Sequence, residues 1–224
     1  MVTCREHSSS MKHKFFFILG IILIPYLLLF VHLRLLMTNE SFYDQQYQIN
    51  GAYERFGKEK VLNETDNILN YYLHNKPLTT SFLNDKEKSH LADVKFLYIT
   101  SKILFVVFFM TMLFCMILTP REHRLSLVWY GSLVTLSGLV VLSLLVWTSF
   151  TPLFMWFHQV VFDNTNWMLD PATDNLILVT SESFFSAFIL RIIRNTLLSA
   201  LLLLIISGFF SRKLKGLQTF RMKH

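Results

Sequence analysis

The sequence predicts an all-α integral membrane protein, with four transmembrane helices and a small, mainly helical extracellular cap. Three observations predict it. Of 224 residues, 53% are hydrophobic and only 16% charged, a balance that does not suit a soluble domain of this size. Four apolar stretches each reach the roughly 20 residues that a helix needs to cross hydrocarbon. The basic residues gather beside those stretches on alternate connections.

Taken in order, the first span covers about 14–34. Bulky Leu33 and Leu35 stand where a signal peptide would carry small cleavage-site residues, and Arg34 lies between them, so a retained helix is expected. Pro25 is expected to kink it. The second span covers about 96–118, and the third, about 125–147, has no charged residue. The fourth, about 188–210, carries Arg191 and Arg194 in its early turns, where snorkelling to lipid phosphates is expected.

Arg5, Lys12 and Lys14 precede the first span. Arg121 and Arg124 link the second to the third, and Arg212, Lys213, Lys215, Arg221 and Lys223 follow the fourth. Those regions hold only Glu6 and Glu122 as acids, and every other carboxylate lies in the two remaining connections. The positive-inside bias places both termini in the cytoplasm. It also accounts for the net charge of +6, which leaves no nucleic-acid partner to expect. Cys4 and Cys115 fall on the inner side, which excludes an outer disulfide framework and quinone-linked disulfide chemistry.

The outer connections, 37–95 and 148–187, are expected to form the cap of a single membrane domain spanning 1–224. Val61, Leu62, Ile68, Leu69, Tyr72 and Leu73 recur at helical spacing, with Pro77 as the stop. Asn84 followed by Glu87 has the form of a capping box, so a helix carrying His90 should feed directly into the second span. Thr151-Pro152 reads as the start of a short aromatic helix, 153–162. Asp163–Asn166 and Asp170-Pro171 read as turns, and 180–183 as a helix cap.

Most histidines have ordinary explanations. His7, His13, His123 and His224 are cytoplasmic, His32 sits at a span end, and His74 lies in a polar stretch. His90 and His158 differ. His90 has Asp93 on the same helix face, three residues on. His158 stands among Phe154, Trp156, Phe157 and Phe162. Each of these residues also has a plain structural use: Trp156 and Trp167 suit a membrane-interface belt, and Asp163, Asp170 and Asp174 suit caps and turns.

Two motifs carry a family resemblance. One is Glu87-Lys88-Ser89-His90-Leu91-Ala92-Asp93-Val94-Lys95. The other runs from Phe157-His158 through Phe162-Asp163-Asn164-Thr165-Asn166-Trp167 to Asp170-Pro171, extended by Asp174 and by Glu182 with Phe184-Phe185. With the upstream run Tyr47-Gln48-Ile49-Asn50 and Arg55-Phe56-Gly57, they resemble the bacterial lipoprotein intramolecular transacylases, the Lit family. One departure is Ser181, where the family pattern leads to an expected proline.

The resemblance implies an enzyme of the bacterial cytoplasmic membrane that needs no cofactor or metal. It would move the sn-2 acyl chain of an S-diacylglyceryl group to the α-amino group of the same lipoprotein's N-terminal cysteine. It implies His90 and His158 as catalytic residues at the outer membrane interface. Asp93 is expected to orient His90. Glu87, Trp156, Phe157, Phe162, Asp163, Asn166, Trp167, Asp170 and Asp174 are expected to orient groups or shape the pocket. Partners would be the diacylglyceryl lipoprotein and membrane lipids. Two other classes compete. A metal-dependent hydrolase would use His90, Asp93, His158 and Asp163 as ligands, though no HExxH-type spacing supports it. A non-catalytic subunit would use the cap to dock a partner.

Overall fold

A computed structural model describes the backbone of residues 2–221 and the side chains of residues 11–213. Cys4, Arg5, Glu6, His7, Lys215, Arg221, Lys223 and His224, named above for their side, therefore lie outside the described side chains. The described residues form helices and no strand. In order these are α1 (Val2–Leu36), α2 (Glu40–Ile49), α3 (Ala52–Phe56), α4 (Lys58–Leu73), α5 (Asp85–Leu118), α6 (Arg121–Val161), α7 (Leu176–Val179) and α8 (Glu182–Arg221). Four of them, α1, α5, α6 and α8, are long and apolar enough to cross a membrane, as the sequence predicts.

Contacts divide the chain into two compact units. The first takes the chain up to His32, Ile103–Leu142, and Ile193 onward. Small residues let its helices approach closely. A Cβ on Gly131 would stand 2.3 Å from Ile24 Cδ1, and one on Gly20 would stand 2.8 Å from Leu127 Cδ1. Leu127, Cys115 and Ala200 are fully buried there. Paired aromatic rings, including Phe30 with Phe105 and Tyr26 with Phe108, pack α1 against α5.

The second unit, Leu33–Lys102 with Ser143–Ile192, holds both sequence motifs. Its core is aromatic. Tyr47 is 1% exposed, stacks on Phe184 at 5.8 Å, and shares a 2.8 Å hydrogen bond between its hydroxyl and Thr65. Asn50 closes the neighbouring turn by donating to the Val179 carbonyl. Gly51 and Gly57 take φ of 75° and 84°, so the chain can turn twice around the five residues of α3 at positions where a side chain would strain the backbone. The upstream run that carried part of the resemblance is thus a packing and turning element.

Local expectations met the fold unevenly. The capping box forms reciprocally: Glu87 N donates to Asn84 Oδ1 at 3.0 Å, and Asn84 N donates to Glu87 Oε2 at 2.6 Å. The helix from that cap runs unbroken into the second span. Ser181, in place of the expected proline, caps α8 by accepting from Phe184 N.

One boundary differs from the sequence reading. α4 ends at Leu73, before Pro77, because the chain turns at His74 and Asn75 takes φ 56°. The aromatic helix starts afresh close to Thr151-Pro152, as expected: non-helical angles at Ser149 break α6 into two helices. The second of these ends at Val161. Proline in the first turn of a helix loses no needed hydrogen bond, so Pro152 suits this start.

Candidate functional site

His90 sits in the second turn of α5, just past the capping box. His158 sits in the last turn of α6. The second unit brings them together, with ring centroids 5.9 Å apart and each ring only 8% exposed. Two imidazolium charges at that separation would repel by about 3 kcal/mol at an effective dielectric of about 20. The pair therefore accommodates one added proton far more readily than two.

The two rings differ in their bonding. His158 Nδ1 lies 2.7 Å from the Phe154 carbonyl, one turn back on α6. A carbonyl only accepts, so Nδ1 carries the proton and Nε2 keeps its lone pair. His90 Nδ1 is buried and has no hydrogen-bond partner.

Aromatic walls enclose the pair. Phe162 lies against both rings, at 5.2 Å from His90 and 5.5 Å from His158. Phe154, Trp167 and Phe157 complete the surround of His158 at 4.2, 5.1 and 5.5 Å. Phe154 is in effect a support that the sequence reading left out of the site, though its i−4 spacing from His158 was visible. Trp156 differs from the expected pocket wall: it is 59% exposed, and among the described residues no ring contact joins it to either imidazole. Trp156 stands two residues before His158, about 200° around the helix, so it faces away from the imidazole.

A polar clasp holds this arrangement by tying the start of α5 to the chain between α6 and α8. Glu87 is 1% exposed, and beyond its capping bond its Oε1 accepts from Leu176 N at 2.5 Å. Asp174 is 2% exposed and accepts from Asn84 Nδ2 at 2.7 Å and from Asp170 N at 2.7 Å. Lys86 Nζ reaches both the Met168 carbonyl and, at 3.3 Å, Asp174. Burial alone would push the Asp174 carboxyl up. Hydrogen bonds from Asp170, Asn84, Lys86 and Thr173 outweigh it and hold the group below the usual carboxylate range.

A second pair of bonds lies beside His90. Asn166 Nδ2 donates to Ser89 Oγ and Asn164 Nδ2 to Asp93 Oδ2, both at 2.9 Å. Asp93 thus bonds across to the loop, and no hydrogen bond joins it to His90. Asp163 and Asp170 are exposed; Asp170 caps a turn through Ala172 N, with no contact to the histidines. Asn84, Lys86, Ser89 and Asn164 serve the site without having been singled out for it. Asn84 carried a signal for a helix cap, and Ser89 and Asn164 lay within the two motifs without a role of their own. Among the described residues no three His, Cys, Asp or Glu side chains converge as a metal-binding set.

Comparison with known proteins bears on this geometry. No curated protein matches the sequence. The structure is similar to the membrane integral lipoprotein intramolecular transacylase Lit from Bacillus cereus, with a TM-score of 0.84 and 17% identity, over 92% of this chain and 99% of that one. A variant of the same protein with one histidine replaced by arginine matches with a TM-score of 0.80 and 17% identity, over the whole of both chains. At that identity the likeness establishes a shared membrane-integral fold. The family model for the lipoprotein intramolecular transacylase Lit matches residues 18–185, three quarters of the sequence and both histidine motifs. The chain belongs to the Lit family of lipoprotein intramolecular transacylases.

Proposed function

We propose that this membrane acyltransferase uses His90 and His158 to move the sn-2 acyl chain of an S-diacylglyceryl lipoprotein to the α-amino group of its own N-terminal cysteine. The product is an N-acylated, S-monoacylglyceryl lyso-form. The observation that carries this reading is the buried histidine pair, with one ring already oriented by a backbone carbonyl.

The chemistry needs two proton transfers at opposite ends of the reacting unit. The amine must be neutral to attack the ester carbonyl carbon. His158 Nε2, with its lone pair exposed by the Nδ1 bond to Phe154, accepts the amine proton. Attack gives a tetrahedral intermediate. Its collapse breaks the bond from carbonyl carbon to sn-2 oxygen, leaving the acyl group on nitrogen. The proton that the attacking nitrogen sheds passes through the pair to the departing alkoxide by way of His90, which also supports the oxyanion. The amine is the nucleophile, so no serine or cysteine is required. The aromatic walls keep water from competing for the acyl group and hold amine and ester together, an effect worth roughly 7–11 kcal/mol in well-oriented systems.

The second unit forms the outer cap in this reading, both termini are cytoplasmic, and the site lies at the outer face of the bacterial cytoplasmic membrane. The distribution of basic flanks supports that orientation. A cysteine introduced at Asn63 should react with an impermeant reagent from outside. One in the Thr119–Ser126 link should not, and its labelling would reverse the topology.

The function is tested with a reporter lipopeptide whose sn-2 chain is isotopically marked, incubated with purified protein and read by mass spectrometry. The label should reappear on the nitrogen of the same molecule with no external acyl donor. Transfer from a separate phospholipid would rule out the intramolecular route.

A further inference from the structure

Three carboxylates stand on the two motifs close to the histidines, and they differ in what their oxygens do. Both oxygens of Glu87 accept backbone N–H groups. Both oxygens of Asp174 are taken by the clasp, and its charge is matched by Lys86. Asp93 is different. It is half-buried, and only its Oδ2 has a bond, from the neutral amide of Asn164. The ion pairs among the described residues are Lys58–Asp44 and Lys86–Asp174, and neither involves Asp93.

Two further observations point to what fills that place. Asp93 is three residues beyond His90 on α5, near enough for its charge to act on the imidazole. His90 Nδ1 is buried with no partner, a polar atom left open on the same helix. A negative charge with one oxygen free, within electrostatic reach of an imidazole whose Nδ1 is unpartnered, matches a group that brings positive charge and several N–H donors. A primary α-ammonium is such a group. Free α-amino groups titrate near 7.7–8.0, so the substrate's N-terminus arrives mainly protonated at neutral pH.

We propose that Asp93, held by Asn164, binds the α-ammonium group of the lipoprotein's N-terminal cysteine and presents it to the histidine pair. This deepens the function proposed above and rests on that reading. The ammonium docks on Asp93 as N–H···O hydrogen bonds, and one proton then passes to imidazole. The resulting neutral amine is still positioned by the carboxylate when it attacks. Asp93 is thereby a specificity residue, because a substrate already acylated on nitrogen has neither the charge nor the donors. The Asn164 amide fixes one carboxylate oxygen and leaves the other for the ligand, and its own Oδ1 is braced by Asn166 N.

The test reads binding apart from turnover. Two dialkyl-ether lipopeptides, which have no ester to transfer, are compared in displacing a fluorescent lipopeptide from the full-length purified protein. One has a free α-amine and the other an N-acetyl group. Wild type should prefer the free amine. Asp93→Asn should weaken the free-amine ligand about 10- to 100-fold, the range for hydrogen bonds to charged groups. It should leave the N-acetyl ligand within about threefold, so that the preference disappears. Asp93→Glu should restore most of the preference. In turnover with the ester substrate, Asp93→Asn should raise KM and leave kcat within about threefold. Equal binding of the two ligands by wild type would overturn the proposal, even if Asp93→Asn did not fold. So would a fall in kcat at constant KM, which is the outcome if Asp93 only orients His90. If wild type fails to convert the ester substrate, the proposed function fails. The ether-ligand comparison still decides the role of Asp93 by itself.

Discussion

The two units use buried polar groups in opposite ways. In the first, Ser132, Thr135 and Ser207 are almost fully buried, and each hydroxyl donates to the carbonyl four residues back on its own helix, at 2.7–2.8 Å. Such bonds are local and belong to a single helix. In the second, Glu87 and Asp174 are as deeply buried, yet their partners lie far along the chain: Leu176 for Glu87, Asn84 and Lys86 for Asp174. Where a helix crosses hydrocarbon, self-satisfied hydroxyls avoid the cost of an unpaired group without specifying neighbours. Where the chain must hold two histidines at a fixed distance, bonds between remote segments do the specifying. Remote bonds in the first unit tie α1 to its neighbours: His32 Nε2 lies 2.9 Å from Ser199 Oγ on α8, and His13 Nδ1 lies 3.0 Å from the Leu118 carbonyl on α5.

That contrast predicts a graded series of substitutions. The largest effect belongs to the groups the clasp holds. His90→Ala and His158→Ala should each lower kcat about 10²–10⁴-fold while the protein inserts and purifies normally, with His74→Ala as a near-neutral control. The double variant should lose less than the product of the singles if the two rings act together. Wild-type turnover in either well-folded single variant would remove that ring from the mechanism.

Next comes the clasp itself. Glu87→Ala leaves Leu176 N and Asn84 N without their acceptor, at a cost of about 1–3 kcal/mol each. Thermal unfolding in detergent should shift down clearly, and activity should fall even below the transition, because the support of His90 is loosened. An unchanged transition would mean that water or relaxation replaces the clasp.

The smallest effect should come from the first unit. Ser132→Ala removes a hydroxyl and its acceptor's extra bond together, so stability should change by no more than about 0.5 kcal/mol, with activity intact. A loss as large as that of Glu87→Ala would erase the distinction between self-satisfied and segment-joining polar groups.

Sequence by itself determined the four spans, the orientation argument, the capping box at Asn84, and the continuous helix from His90 into the second span. These are local properties. Hydrophobic run length, flanking charge and a three-residue spacing are written into neighbouring positions. The two motifs also carried the family resemblance without any fold. Only the tertiary structure decided that the motifs meet. Glu87 and Leu176 are 89 residues apart, and no periodicity relates them. It also sorted residues of like type: Trp167 packs on His158 while Trp156 faces outward, and Asp93 bonds Asn164 instead of His90. Composition treats the two tryptophans alike. What separates them is the helical angle at which α6 presents Trp156 and the path of the loop that carries Trp167, a path fixed only when distant segments close on one another.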